Sequence, residues 1–179
     1  MSHTMTLPAT RRLVSLDESH IRGLGQVLLD CVQGGASVSF MQPLSMERAE
    51  RFWRGVADGV ARGERALLVA EDASGAIVGT VQLVLAQPEN QPHRADVSKM
   101  LVHRRVRRQG LGAALMQAAE RVAAEEGKSL LVLDTVTGGE AERLYERLGW
   151  QRCGAIPGYA LWPGGGLCGT TIFFKTLPT

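Results

Sequence analysis

The sequence predicts an α/β (α+β) fold, with one mixed central sheet of about seven strands flanked by about four helices. Three observations lead there. Asp96 to Asp134 reads as strand, basic glycine turn, helix and strand, a βαβ unit that makes part of the sheet parallel. Two amphipathic helical stretches precede it. Short apolar runs separated by turn residues, before and after it, supply antiparallel strands.

Taken in order, Arg11 to Leu16 reads as the first strand and Glu18 to Val32 as a helix, with Ile21, Leu24, Leu28 and Cys31 on one face. Gly23 and Gly25 weaken this helix, and Gly34-Gly35 ends it. Ser45 suits the N-cap of a second helix through Arg62, with Ala49, Phe52, Trp53, Val56 and Val60 as its apolar stripe. Ala66 to Glu71 and Ile77 to Leu85 form a hairpin around Asp72-Ala73-Ser74-Gly75.

Arg94 to His103 is the strand that enters the glycine turn. Period two places Asp96, Ser98, Met100 and Val102 on one face, and Ala95, Val97, Lys99 and Leu101 on the other. A helix opens at Gly112, with Leu111, Leu115, Ala118 and Val122 on one side. Leu130 to Leu133 is a continuous apolar run, as in a strand covered on both faces. Thr137 and Glu140 have capping-box spacing for a helix that closes at Gly149. Trp150 to Ile156 and Gly169 to Thr176 are the last strands. Pro157-Gly158-Tyr159 and Pro163 to Gly166 bracket a loop between them.

Composition sets the class. With 179 residues, 45% apolar and 21% charged, residues 11–179 suit a single domain, preceded by a frayed end at 1–10. The net charge of +2 is too small to call for a nucleic-acid partner. No apolar run reaches the length of a membrane span, and the first ten residues do not read as a signal peptide. Cys31, Cys153 and Cys168 are odd in number and lack metal-ligand spacing. Reduced thiols in a cytoplasmic protein, and no metal, are the expectation. The late strands and the Pro-Gly loop offer a homodimer contact.

Chemistry concentrates at the turn. The first amides of a helix lack intrahelical partners and carry partial positive charge, and glycines allow close approach to them. Arg104, Arg105, Arg107 and Arg108 add charge just ahead. A pyrophosphate or phosphorylated cofactor is therefore expected on the amides of Arg108, Gln109, Gly110, Leu111, Gly112 and Ala113. A Walker loop is excluded, because Ala113-Ala114 follow Gly112. A dinucleotide fingerprint fits poorly, because Leu115 stands where a third glycine or alanine belongs.

Arg107, Gly110 and Gly112 spell Arg-x-x-Gly-x-Gly. Downstream stands Ala141-Glu142-Arg143-Leu144-Tyr145-Glu146-Arg147-Leu148-Gly149-Trp150. In order and spacing the two resemble the acetyl-CoA site and the Ala-x-x-x-Tyr-x-x-x-Gly-Phe element of the GCN5-related N-acetyltransferases. Further stretches, Gly34 to Met41, Arg94 to Lys99, Leu133 to Thr135, Pro157 to Tyr159 and Phe174 to Leu177, resemble the tabtoxin-resistance acetyltransferases within that family.

The resemblance implies the fold given above and acetyl-CoA as co-substrate. It implies acetylation of a small amino-acid-like amine, a toxin or antibiotic among the candidates, by direct attack in a ternary complex. It puts Tyr145 at the position of the general acid, and Ser37 and Phe40 in a segment that covers the acceptor. Gly138 stands where many members carry a cofactor-contacting asparagine, so that contact is not carried over.

Asp134, at the C-terminal end of its strand, and Asp96, on the neighbouring strand, are the candidate bases or ammonium-binding carboxylates. Met100, Leu101 and Val102 offer backbone partners to an extended pantetheine arm. Two other acceptor classes are weighed: a protein N-terminus or lysine, and a polyamine. A non-catalytic acyl-CoA-binding module is the reading from another class.

Overall fold

The computed structural model describes residues 7–178. Of the residues expected to fray, 1–6 lie outside the described residues. The others do not wholly fray, because β1 spans Ala9–Leu13, earlier than the predicted Arg11 to Leu16. It pairs antiparallel with β2 (Arg65–Glu71), and this pairing along the sheet edge sets its bounds.

The other strands are β3 (Ile77–Val84), β4 (Arg94–Val102), β5 (Leu130–Val136), β6 (Gln151–Leu161) and β7 (Leu167–Thr176). They form one sheet in the order β1-β2-β3-β4-β5-β7-β6. Only β4 and β5 are parallel. The helices are α1 (Glu18–Gln33), α2 (Met46–Ala61), α3 (Leu111–Glu125) and α4 (Glu140–Arg147).

Two apolar clusters divide the helices between the sheet faces. Leu24, Leu28, Trp53 and Val56 of α1 and α2 pack with Leu67, Val69 and Leu101. On the other face, Leu111, Leu115, Met116 and Ala119 of α3 pack with Leu68, Val81, Leu131 and Phe173. Leu115 is fully buried, so truncating it to alanine costs about 2–5 kcal/mol.

The first two helices, α1 and α2, start on side-chain caps. Asp17 accepts from the His20 amide at 2.9 Å and donates its own amide to the His20 ring. Ser45 accepts from the Arg48 amide, as its residue type predicts. The α4 start departs from expectation. Gly139 is the N-cap there, without a side-chain bond. Thr137 is drawn instead to Thr171 of β7 at 3.0 Å, so the Thr137–Glu140 capping box does not form.

Three strand readings also change. In β4, three residue steps from Ser98 to Leu101 face two steps of β3, from Gln82 to Thr80. Lys99 has φ 52 at this bulge, and the extra residue reverses the alternation beyond it. Met100 and Val102 therefore pack on the α3 side with Ala95 and Val97, while Leu101 faces α1 and α2. β5 is fully covered only on its α3 face, through Leu131 and Leu133. Pro157-Gly158-Tyr159 is a bulge within β6 rather than the edge of a loop: pairing resumes at Ala160 with Cys168. The β6–β7 turn is confined to 162–166.

The β4 bulge opens the site. β4 and β5 pair only from Arg94 with Leu130 to Asp96 with Val132. Beyond Asp96 they diverge, leaving a wedge-shaped gap at the middle of the sheet.

Candidate active site

A cleft of about 1350 Å³ fills this gap. Its walls are the β4 bulge, the end of β5, the start of α3, the inner side of α4 and the loop after α1. Tyr159 and Trp162 of the β6–β7 hairpin also reach it.

The first end of the cleft is the glycine turn. A single 3₁₀ turn, Arg104–Val106, leads into it. Two of the four arginines are fasteners: Arg104 pairs with Asp30 of α1 at 3.0 Å, and Arg105 with Asp72 of the β2–β3 turn at 2.7 Å. Burial opposes ionisation of Asp30, but the amide and guanidinium of Arg104 hold its carboxyl below the usual aspartate range. Arg107 donates to the Val102 carbonyl at 3.0 Å and approaches the Cys31 thiol. The fixed positive charge at the turn is therefore smaller than four arginines suggest.

What remains is backbone. Among the described residues, the amides of Arg108, Gln109, Gly110, Leu111, Gly112 and Ala113 have no hydrogen-bond acceptor; the first such bond of α3 is Ala114 to Gly110. Arg108 and Gly110 have φ 61 and φ 84. Left-handed residues beside a helix start turn successive N–H groups to one side, an arrangement suited to anions. Gly110 is needed for that backbone. Gly112 has another reason: a Cβ there would meet Leu144 of α4 at 3.1 Å, so it permits close packing of α3 on α4. Of 107–113, Gln109 alone does not line the cleft. Met100, Leu101 and Val102 line it along the β4 edge that β5 has left.

Tyr145 projects from α4 at the centre. It is 5% exposed, tilted against Trp150 and Phe173 at ring distances of 6.1 and 5.9 Å. Its hydroxyl makes no hydrogen bond among the described residues, and Tyr145 is part of the cleft lining. Burial, then the nearby charge of Asp134, pushes its pKa well above the ordinary phenol value of 10.

The other end of the cleft carries charge of both signs. Asp134 accepts from the Thr170 hydroxyl at 2.8 Å through Oδ2, and its other carboxylate oxygen has no hydrogen-bond partner among the described residues. Asp96 lies on the same side of the sheet but is already engaged. Arg94 forms an ion pair with it, and the Gln87 side-chain amide donates to it at 3.2 Å.

Lys99, which sequence reasoning passed over, also lines this end. Its ammonium donates to Ser39 at 3.2 Å and lies 5.7 Å from the centre of the Phe52 ring. Burial lowers its pKa, the charge of Asp134 opposes that shift, and Arg65 adds to it. The signal in the sequence is one cation inside the otherwise uncharged stretch from Val97 to Val102. Thr170, Tyr159 and Trp162 carry no comparable signal.

The loop after α1 covers this end. The Ser37 hydroxyl donates to the Leu161 carbonyl at 2.9 Å, and the Gln42 amide to that of Pro163 at 2.9 Å. Ser37 thus lines the cleft as expected. Phe40 does not: it packs edge-on against Phe52 at 5.3 Å. Its place is in the wall behind Lys99, because the aromatic stripe of α2 offers it more apolar surface than the cleft.

Comparison with known proteins agrees with this architecture. The family model described as acetyltransferase (GNAT) family matches residues 36–150. An uncharacterized N-acetyltransferase of the hisH-hisA intergenic region of Azospirillum brasilense is 31% identical over 132 residues, 73% of this chain and 76% of that protein. A phosphinothricin acetyltransferase from Sinorhizobium meliloti, solved with acetyl-CoA, superposes at TM-score 0.77 with 15% identity, covering 96% of this chain and 89% of that one. A ribosomal-protein-alanine N-acetyltransferase from Brucella melitensis does so at 0.77 with 20% identity, covering 94% and 99%. Those two structures bear on the fold alone; equal likeness to enzymes named for different acceptors leaves the acceptor open. The family match covers well over half the chain and includes both the glycine turn and Tyr145, and with the Azospirillum relative it makes this protein a member of the acetyltransferase (GNAT) family and an N-acetyltransferase.

Proposed function

We propose that the protein acetylates the amine of a small amino-acid-like acceptor, of the toxin and antibiotic class that includes β-lactam amino acids, with acetyl-CoA as donor. The carrying observation is the tie between the loop after α1 and the β6–β7 turn, Ser37 to Leu161 and Gln42 to Pro163. It walls the acceptor end, which favours a small molecule over a polypeptide lying in an open groove. The likeness of Gly34 to Met41 to the tabtoxin-resistance branch supports the same reading.

The residues present fit acetyl-CoA. The unpartnered amides that line the cleft, at Arg108 and Gly110 to Ala113, suit a pyrophosphate. The β4 edge that β5 has left, from Met100 to Val102, suits the amides of an extended arm, with the Val102 carbonyl already accepting from Arg107. The co-substrate supplies an acetyl thioester. Asp134 holds the acceptor amine and takes up its proton, directly or through one water. Asp96, neutralised by Arg94, completes the floor. Tyr145 donates its hydroxyl proton to the departing sulfur, a role its raised pKa permits at any pH below about 10. Direct transfer needs no nucleophile from the protein, and the cleft cysteine, Cys31, is only 1% exposed.

The buried thiols of Cys31 and Cys168 support a reducing, cytoplasmic setting. Among the described residues no helix is long and apolar enough to cross a membrane. Ile156, Tyr159, Leu161, Trp162 and Leu167, all exposed on the β6–β7 hairpin, support pairing of two copies through edge strand β6.

Thiol release from acetyl-CoA, measured across amino acids, β-lactam amino acids, polyamines and peptides, tests the reading. Selective turnover of amino-acid-like amines is expected. Preference for polyamines or peptides would overturn it.

A further inference from the structure

Building on the acceptor reading just given, we infer that Lys99 selects the substrate: its ammonium pairs with the carboxylate of an α-amino acid whose amine faces Asp134.

The backbone is the first observation. Lys99 is the bulged residue of β4, in the left-handed region at φ 52. Lysine gains nothing from that conformation, which disfavours every side chain with a Cβ. A bulge re-aims its side chain, and here it sends a long cation to the α1–α2 side of the sheet. Asp96 and Asp134 lie on that side also. The strain thus falls where a charge enters the acceptor end.

Partner count is the second. An ammonium has three donors, and Lys99 has one acceptor among the described residues, Ser39. The Phe52 ring covers another side, at a distance suited to a cation–π contact. At least one N–H remains for a ligand, in a setting where burial makes an unmatched charge costly. An anion from the substrate supplies the missing partner.

Arrangement of charge is the third. Two other cations near this end are engaged: Arg94 with Asp96, and Arg65 with the Gln82 side-chain carbonyl at 2.9 Å. Lys99 is close enough for the charge of Asp134 to act on it, yet the two form no ion pair. An α-amino acid presents one positive and one negative group a few bonds apart, and would occupy both. A simple amine would leave Lys99 unmatched.

The test compares alanine, methionine and glutamine, each beside its primary carboxamide, as acceptors for wild type, Lys99→Met and Lys99→Gln. The readout is the ratio of kcat/KM for acid over carboxamide. Wild type is expected to favour the acid, and both variants to lower the ratio by about tenfold or more, through KM for the acceptor. Lys99→Arg, which keeps the charge, is expected to retain the preference. A loosened loop after α1 would slow acid and carboxamide alike and leave the ratio in place. A wild-type preference that both neutral variants keep overturns the role of Lys99 and leaves the acceptor reading standing. Wild type that favours carboxamides, or treats the two alike, overturns the acceptor reading and Lys99 with it.

Discussion

Thr170 of β7 donates its hydroxyl to Oδ2 of Asp134 on β5, at 2.8 Å, and also reaches the Thr135 carbonyl at 3.1 Å. One hydroxyl hydrogen serves both, so Thr170 acts as a stop that sets the carboxylate rotamer. A positioned base contributes about 10²–10⁴-fold to a proton transfer. Asp134→Asn should therefore lower kcat by about a hundredfold or more, with KM for acetyl-CoA little changed. Thr170→Val, which keeps the shape and removes the donor, should lower kcat by about tenfold. If Thr170→Val costs as much as Asp134→Asn, the hydroxyl has a role of its own.

Tyr145→Phe separates chemistry from packing. The hydroxyl has no partner among the described residues, while the ring is fixed by Trp150 and Phe173. Loss of the oxygen should leave Tm within about 2 °C of wild type. It should lower kcat by about a hundredfold, the scale of a lost general acid. Because burial and Asp134 raise its pKa, the wild-type kcat should show no fall attributable to Tyr145 up to about pH 10. Full turnover by the phenylalanine variant would refute the acid role and leave the amide turn untouched as a cofactor site.

The readable parts of this site share one property: their geometry is local. Gly110 to Ala113, the start of α3 and Asp134 at the end of an apolar strand follow from neighbours within a few residues. The tie that closes the acceptor end joins residues 124 apart, and nothing in either stretch marks the other. The β4 bulge is different again. Alternation assigns Met100 to the face of Asp96, but one extra residue at Lys99 reverses the count, and no glycine or proline announces it. The Thr137–Glu140 pair has cap spacing, yet Thr137 finds a better partner on β7. Tertiary partners outside the sequence window decided each of these.

Gly110 tests the turn. At φ 84 an alanine is strained by about 1–2 kcal/mol, and the helix start must shift to relieve it. Gly110→Ala should weaken acetyl-CoA binding by about tenfold, measured by calorimetry, with a small drop in Tm. Gly112→Ala should differ. Its Cβ would press on Leu144, so stability should fall first and affinity follow only as α3 and α4 separate. Equal loss of affinity at both positions, with neither variant less stable, would contradict the packing role of Gly112.

Asp72 connects the far hairpin to the cofactor turn, and its titration can be followed. The Ser74 hydroxyl, the Ser74 and Ala76 amides and the Arg105 guanidinium all favour its charged form, and its pKa is lowered from 3.8 to about 2. A carboxyl with a depressed folded value adds stability that is present above the unfolded value and lost as pH falls through the folded one. The window here runs from about pH 4 down to about pH 2. Asp72→Asn keeps an acceptor for the turn amides but gives up the charge opposite Arg105. It should be less stable than wild type at pH 7, and the two urea-unfolding midpoints should converge as the pH approaches 2. Released from Asp72, Arg105 no longer anchors the segment before Arg107, so affinity for acetyl-CoA at neutral pH should drop modestly as well. Midpoints that stay a constant distance apart from pH 7 to pH 2 would mean that the Asp72 charge contributes nothing to the folded state, and that the turn is held by Arg104 and Asp30 alone.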